Sequence, residues 1–341
     1  MPLTLSERLG VPHRRDYARL MKDLTRNMLD LSNKVKQIDK YFKRTELTTD
    51  ILTNTSGDSR TFSNVFTSEQ DSLLTLFTTL EWTADKEHIY NITYMNWASL
   101  KPVVNPVLFT NDPRAASVAM TFGLEVQNTT GRSNSGLPVL KNMYLSAMRS
   151  YRSYFYCFAN SDILFDGGLV KTLVNIQFHN ISSTFKHVLI TGKRHNVVNV
   201  SKSEVRQRQD IETLVKSRGE LFITSAEDYF ITDRFYPWES IPEVVIASLA
   251  YDNWLIMNAR EKRHLVIDAT KTINALHQSI DNNYHRSHGR DYANFNVNLL
   301  KEWSKINIPY HKGFVHCIER FTDIVKDVFV INERMVDASC N

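Results

Sequence analysis

Asn160 and Asp162 flank Ser161 at the end of an aromatic run, Tyr154-Phe155-Tyr156-Cys157-Phe158-Ala159, whose composition is that of a buried strand. Side chains at i and i+2 point the same way from an extended backbone, so two oxygen-bearing groups can converge here on one hard cation. Open α/β sheets collect their ligands at the carboxyl ends of strands, and a cation held at such an edge suits a diphosphate. The chain turns apolar again at Ile163-Leu164-Phe165 before Asp166-Gly167-Gly168. Asn and Asp also favour turns, so the tripeptide equally suits a plain strand-to-helix turn.

A site of this kind needs a sheet to carry it. From Asp71 onward the pattern alternates: a strand over Leu73–Leu80 containing Thr78-Thr79, a helix over Ile89–Leu100 carrying Asn96-Trp97, and a strand over Asn105–Thr110 that runs into Asn111-Asp112-Pro113. A third strand covers about Gly123–Gln127, and a helix starts near Pro138. The strand of the tripeptide comes next, then a helix over about Gly168–Phe178 and a strand over His187–Thr191 that opens into Gly192-Lys193-Arg194-His195-Asn196. Such alternation predicts an α/β fold with a largely parallel sheet covered by helices.

The carboxyl-terminal half adds Glu227-Asp228-Tyr229-Phe230, Tyr236-Pro237-Trp238, Ile241-Pro242, Ala250-Tyr251-Asp252-Asn253-Trp254-Leu255 and Val266-Ile267-Asp268-Ala269-Thr270, with His277-Gln278 placed on a following helix. With the strand-end tripeptide, this series resembles the GT-A-type glycosyltransferases over roughly Thr75 to Leu300, Asn160 standing where their Asp-X-Asp segment has its first Asp. The resemblance implies a GT-A-like, Rossmann-type, mostly parallel sheet with flanking helices. It divides residues 71–341 into a nucleotide half (about 71–165) and an acceptor half (about 166–341).

It also implies a chemistry. A nucleotide-sugar donor, a UDP-sugar, would lose its sugar to a hydroxyl on a carbohydrate or glycoconjugate acceptor, with Mn²⁺ or Mg²⁺ held by Asn160, Asp162 and His277 acting as a Lewis acid on the departing diphosphate. His195, His285 and His288 rival His277 for the third place. Asp228 or Asp252 would take the acceptor proton, and Glu227 would orient acceptor or base. Thr78, Thr79 and Asp112 lie where a nucleoside would rest, and Ser161, Lys193 and Arg194 would meet its phosphates or sugar. The same residues have plainer uses: Glu227-Asp228 suits a helix start, Asp252-Asn253 a helix's polar face, and Trp97, Trp238 and Trp254 a core or cleft wall. A second reading is a non-catalytic carbohydrate- or nucleotide-sugar-binding protein of the same fold, in which Asn160 marks a lost metal. A glycoside hydrolase built on Glu227 leaves the strand-end tripeptide unexplained.

Ahead of the domain, Met21, Leu24, Met28, Leu31, Val35, Ile38 and Phe42 alternate by three and four, the seam of a coiled coil. This predicts a helical stalk over 1–45 that joins copies of the chain, an amphipathic helix packed on its own domain being the alternative, and a Thr/Ser/Asp/Gly-rich linker over 46–70. A stalk and linker resemble a Golgi stem, which points to the secretory lumen; a cytoplasmic protein is the alternative. Five N-x-S/T sequons, at Asn54, Asn91, Asn128, Asn180 and Asn199, add little, because roughly four arise by chance in so Asn-, Ser- and Thr-rich a chain. A net charge of +4 without a basic stripe argues against a nucleic-acid partner. No apolar run is long enough to span a bilayer. Cys157, Cys317 and Cys340 have neither the number nor the spacing of a disulfide scaffold or a zinc ribbon.

Overall fold

A computed structural model describes residues 72–341 except 130, 135, 179–184, 206–207 and 280–292. The described residues belong to one compact unit, Ser68–Asn341. The expected coil, the linker, Asn54, Asn180, His285 and His288 lie outside the described residues.

The first elements are β1 (Ser72–Thr79), α1 (Glu87–Ala98), β2 (Val104–Phe109), α2 (Pro113–Thr121), β3 (Glu125–Gln127), α3 (Leu140–Ser150) and β4 (Ser153–Ala159). β5 (Ile163–Phe165), α4 (Gly168–Phe178), β6 (Val188–Thr191), β7 (Arg194–Val198), α5 (Arg208–Arg218) and β8 (Glu220–Leu221) follow. β9 (Tyr229–Asp233), α6 (Tyr251–Glu261), β10 (Leu265–Asp268), β11 (Ala275–Ser279), α7 (Phe295–Ser304), β12 (Arg320–Val325) and β13 (Val328–Glu333) complete the chain.

Among the described residues the strands form a nine-stranded sheet, ordered β13-β12-β10-β6-β9-β4-β1-β2-β3, and a four-stranded one, β5-β11-β7-β8. In the large sheet β1 runs parallel to β2 and β4, β2 to β3, and β10 to β6 and β12; β9 lies antiparallel between β4 and β6, and β13 antiparallel on β12. This is the mostly parallel α/β sheet with flanking helices that the resemblance implies.

The chain steps outward from β1 to β2 and β3, then returns to the other side of β1 with β4. Strand order therefore reverses between β1 and β4, where open sheets leave a crevice for ligands. Because crossovers are right-handed, that reversal puts helices on both faces. β2 displays the result: Val107 and Phe109 join a core with Phe77, Tyr144, Phe158 and Trp238, while Leu108 joins Ile89, Tyr94, Ala115 and Leu124. The Tyr144 and Trp238 rings stack at 3.6 Å, so Trp238 is core rather than cleft wall. Trp97 is equally buried, and its indole N–H holds the Ile163 carbonyl at 2.9 Å while Asn96 exchanges two bonds with the Phe165 backbone. α1 thus clamps β5 in place beside the large sheet.

Two expectations are corrected. His277-Gln278 lies on β11, not on a helix: Ala275–Ser279 pairs antiparallel with β5 and parallel with β7, and those ladders override the weak strand preference of Ala, Gln and Ser. The cysteines include a bridge, Cys317–Cys340, which their spacing gave no reason to expect, because a bridge depends on proximity in the fold.

Candidate active site

The carboxyl ends of β1, β4, β6 and β10 share one edge of the large sheet. Antiparallel β9 brings its amino end to that edge, since Ala159 pairs with Tyr229. Asn160-Ser161-Asp162 and Glu227-Asp228, distant in sequence, are therefore neighbours. The small sheet starts from the same place: β5 follows the tripeptide, and β7 follows Gly192-Lys193.

Residues 160–162 do not continue β4 as extended backbone. They turn, the Asn160 carbonyl accepting the Ile163 N–H at 3.2 Å. Asn160 Nδ2 donates to Asp228 Oδ1 at 2.6 Å. Asp162 Oδ2 stands 3.3 Å from His277 Nε2, because the register opposes His277 to Ile163. The Asp162 carbonyl also accepts the Gln278 N–H at 3.0 Å. Burial opposes the charge of Asp162, yet the charge and hydrogen bond of His277, with Arg194 and Lys86 farther off, hold its carboxyl below the ordinary value. Its second oxygen, Oδ1, is buried and has no hydrogen-bond partner. A buried carboxylate oxygen without a donor, on a carboxylate that already faces an imidazole, fits a divalent cation.

On β7 a pair at i and i+2 is joined directly. Arg194 Nε donates to Asn196 Oδ1 at 2.9 Å, and Asn196 pairs with His277 across the small sheet. Arg194 points inward: Nη1 donates to Asp228 Oδ2 at 2.5 Å and the guanidinium lies 4.1 Å from the Phe222 ring centre. Its charge is used on Asp228 rather than held out for a phosphate. Lys193 is half-buried, its backbone N–H tied to Thr270 Oγ1 at 2.8 Å.

Three carboxyls, Glu227, Asp228 and Asp252, lie near one another. Glu227 and Asp228 precede a strand, not a helix, and both are buried. Burial, with Asp252, Asp228 and Asp268 nearby, drives the Glu227 carboxyl well above the ordinary range. Its Oε2 accepts from Asn253 Nδ2 at 3.1 Å and its Oε1 is buried without a partner. Asp252 sits in the first turn of α6, where Oδ1 accepts the Asn253 N–H at 2.9 Å. Burial, opposed by that N–H and reinforced by Asp228, pushes Asp252 up to about 6.

Of the residues expected near a nucleoside, Thr78 is buried at the reversal between β1 and β4, and Thr79 is half-buried. Asp112 is exposed and caps α2, its Oδ1 accepting the N–H groups of Arg114 at 2.8 Å and Ala115 at 2.9 Å. Its carboxylate is thereby engaged in the fold. His195, on β7, pairs with Leu221 and Leu276.

Sequence reasoning gave no role to Asn196 and Asn253, although both stand inside quoted motifs. Nor did it single out Asp166, a buried carboxyl that accepts from Gly168 N at 2.9 Å and Asn274 Nδ2 at 2.6 Å. Arg334, which donates to Asp268 Oδ2 at 2.6 Å, carried no local signal at all.

No family model and no curated protein matches the chain. Solved structures do. A mycobacterial protein aligns with 83% of this chain and 90% of its own at 10% identity and a TM-score of 0.44. Glucosyl-3-phosphoglycerate synthase from Mycobacterium tuberculosis, in complex with Mg²⁺ and UDP, aligns with 78% of this chain and 88% of its own at 11% identity and a TM-score of 0.40. CMP:2-keto-3-deoxy-manno-octonic acid synthetase, complexed with CTP, aligns with 69% of this chain and 100% of its own at 12% identity and a TM-score of 0.33. These likenesses are remote, and the sheet order and site geometry stand without them.

Proposed function

We propose that this chain is a metal-assisted glycosyltransferase that moves a sugar from a nucleotide-sugar donor, a UDP-sugar, to a hydroxyl of a carbohydrate acceptor. The observation that carries the reading is the Asp162–His277 pair, with one Asp162 oxygen buried and unpartnered, at the edge where the strand order reverses. Asp162, His277 and the side-chain oxygen of Asn160 would hold Mn²⁺ or Mg²⁺, which when bound supplies positive charge for the departing diphosphate. Half-buried Thr79 and Ser161 would line the nucleotide side of that edge, with buried Thr78 behind them.

The acceptor side supplies the base. Asp252, near pKa 6, is mostly ionised at neutral pH and basic enough to take a hydroxyl proton, whereas Asp228 spends both oxygens on Asn160 and Arg194. Asp252 is therefore the base. Glu227, held by Asn253 Nδ2, would orient the acceptor or Asp252. Cys317–Cys340 supports an oxidising, secretory setting, and the sequon residues Asn128 and Asn199 are exposed.

The test is a thermal shift of the parent and of Asp162→Ala with UDP, with and without Mn²⁺. UDP with Mn²⁺ should raise the parent's melting temperature, and the variant, whose fold is intact, should lose the metal-dependent part. A variant that responds as the parent does would remove the metal site.

A further inference from the structure

Position 160 holds Asn where the resemblance would place an acidic residue, and the structure supplies a reason. We propose that Asp228 is a positioning residue that turns the Asn160 side-chain oxygen toward the diphosphate edge and carries, one strand away, the negative charge that an aspartate at 160 would have brought. The inference rests on the donor site described above and concerns the part of it in which this chain departs from the pattern.

A carboxylate accepts hydrogen bonds and donates none. The 2.6 Å contact from Asn160 Nδ2 to Asp228 Oδ1 therefore fixes which end of the amide is which, and Oδ1 of Asn160 faces away from Asp228. The backbone reinforces the pose, Asn160 N–H donating to the Asp228 carbonyl at 2.9 Å. Asp228 is held in place because Arg194 Nη1 grips its other oxygen. Arg194 is itself held by Asn196 and covered by Phe222. Asp228 is 5% exposed and Arg194 8%, so neither charge has water to replace its partner.

An aspartate at 160 would face Asp228 across the same 2.6 Å, and two carboxylates that close cannot both ionise. Asn is the residue that lets the pair form. Exchanging the two residues keeps every donor matched to an acceptor: an amide at position 228 would donate to a carboxylate at position 160 and accept from Arg194 through its carbonyl, with the charge of the trio unchanged.

The experiment compares the parent, Asn160→Asp, Asp228→Asn and the double exchange by urea melts without ligand and by UDP titrations with and without Mn²⁺. Each single substitution should lower the midpoint of unfolding and weaken Mn²⁺-dependent UDP binding by about tenfold or more. The double exchange should recover both to within a few-fold of the parent. UDP binding without metal should stay alike in all four proteins, which separates positioning from a general loss of structure. The proposal is overturned if Asn160→Asp binds UDP and Mn²⁺ as well as the parent, or if the double exchange is no better than the worse single. A parent that binds no UDP with Mn²⁺ sinks the donor-site reading and the positioning role with it, and the melts then report a structural pair.

Discussion

Asp252 and Asp228 are both carboxylates of the proposed acceptor site, and their hydrogen bonds separate them. Asp228 is pinned from two sides, while Asp252 keeps one oxygen off the Asn253 N–H and is lifted to about 6 by burial, Asp228 adding to the lift. A base works deprotonated, so kcat/KM for transfer should rise with pH through about 6 and level off above it. Asp252→Asn should lower kcat by at least about a hundredfold and leave donor affinity nearly unchanged. A profile flat from about pH 5 to 8, or near-parental turnover in the variant, would assign the proton to another group. His277 belongs to the same scale. The sequence offers several histidines, and what selects this one is a register, His277 opposite Ile163, that brings its Nε2 to Asp162.

Elements decide which of these residues meet. β1, α1, β2, α4 and β6 stand where their apolar patterns predict them, within about two residues, because each is long or uniform enough for local preference and burial to agree. β11 does not, since Ala-Leu-His-Gln-Ser becomes a strand through ladders to β5 and β7 that no local window contains. The strand-end tripeptide is legible in sequence as a candidate site, but its partners are not: Asn160 meets Asp228 only because an antiparallel strand enters the sheet between β4 and β6. The β5–α4 junction carries a further consequence in Asp166, whose carboxyl burial lifts to about 6. A carboxyl raised on folding adds stability that is complete below its unfolded pKa and lost as pH rises through its folded one. The protein should therefore melt at a higher temperature near pH 5 than near pH 7.5. Asp166→Asn should shrink that difference by stabilising the neutral-pH form, since Asn274 can turn its amide to meet the new one. An unchanged pH dependence in the variant would place the effect elsewhere.

At the scale of the whole molecule, two features tie parts of the chain together. The seam Met21-Leu24-Met28-Leu31-Val35-Ile38-Phe42 should join copies of the chain, each buried Leu or Ile contributing roughly 1.5–3 kcal/mol. Leu24→Glu with Leu31→Glu should then give a monomer by light scattering while transfer to a small acceptor survives; a parent already monomeric would end that idea. The second feature is the return of the chain onto its own sheet after β13. Arg334 reaches back to Asp268 at 2.6 Å and to the Val315 carbonyl at 3.1 Å, and Arg260 on α6 donates to Glu319 at 2.7 Å and to the carbonyls of Lys312 at 2.7 Å and Cys340 at 3.0 Å. Cys317–Cys340 closes this arrangement across 23 residues of sequence. The segment it closes also touches the site, because Val315 N–H donates to the Thr224 carbonyl at 2.9 Å, three residues before Glu227. A loop of that length constrains the unfolded chain by about 3 kcal/mol. Ser at both positions, or strong reductant on the parent, should lower stability by roughly that amount in urea melts. The metal-dependent response to UDP should persist below the new midpoint, since no ligand of the proposed ion lies in the segment. His316 stands beside both sulfurs, but their bond to each other leaves no thiolate for a metal there. A parent whose melt is indifferent to reductant would show that the hydrogen bonds of Arg260 and Arg334 hold the chain end without the bridge.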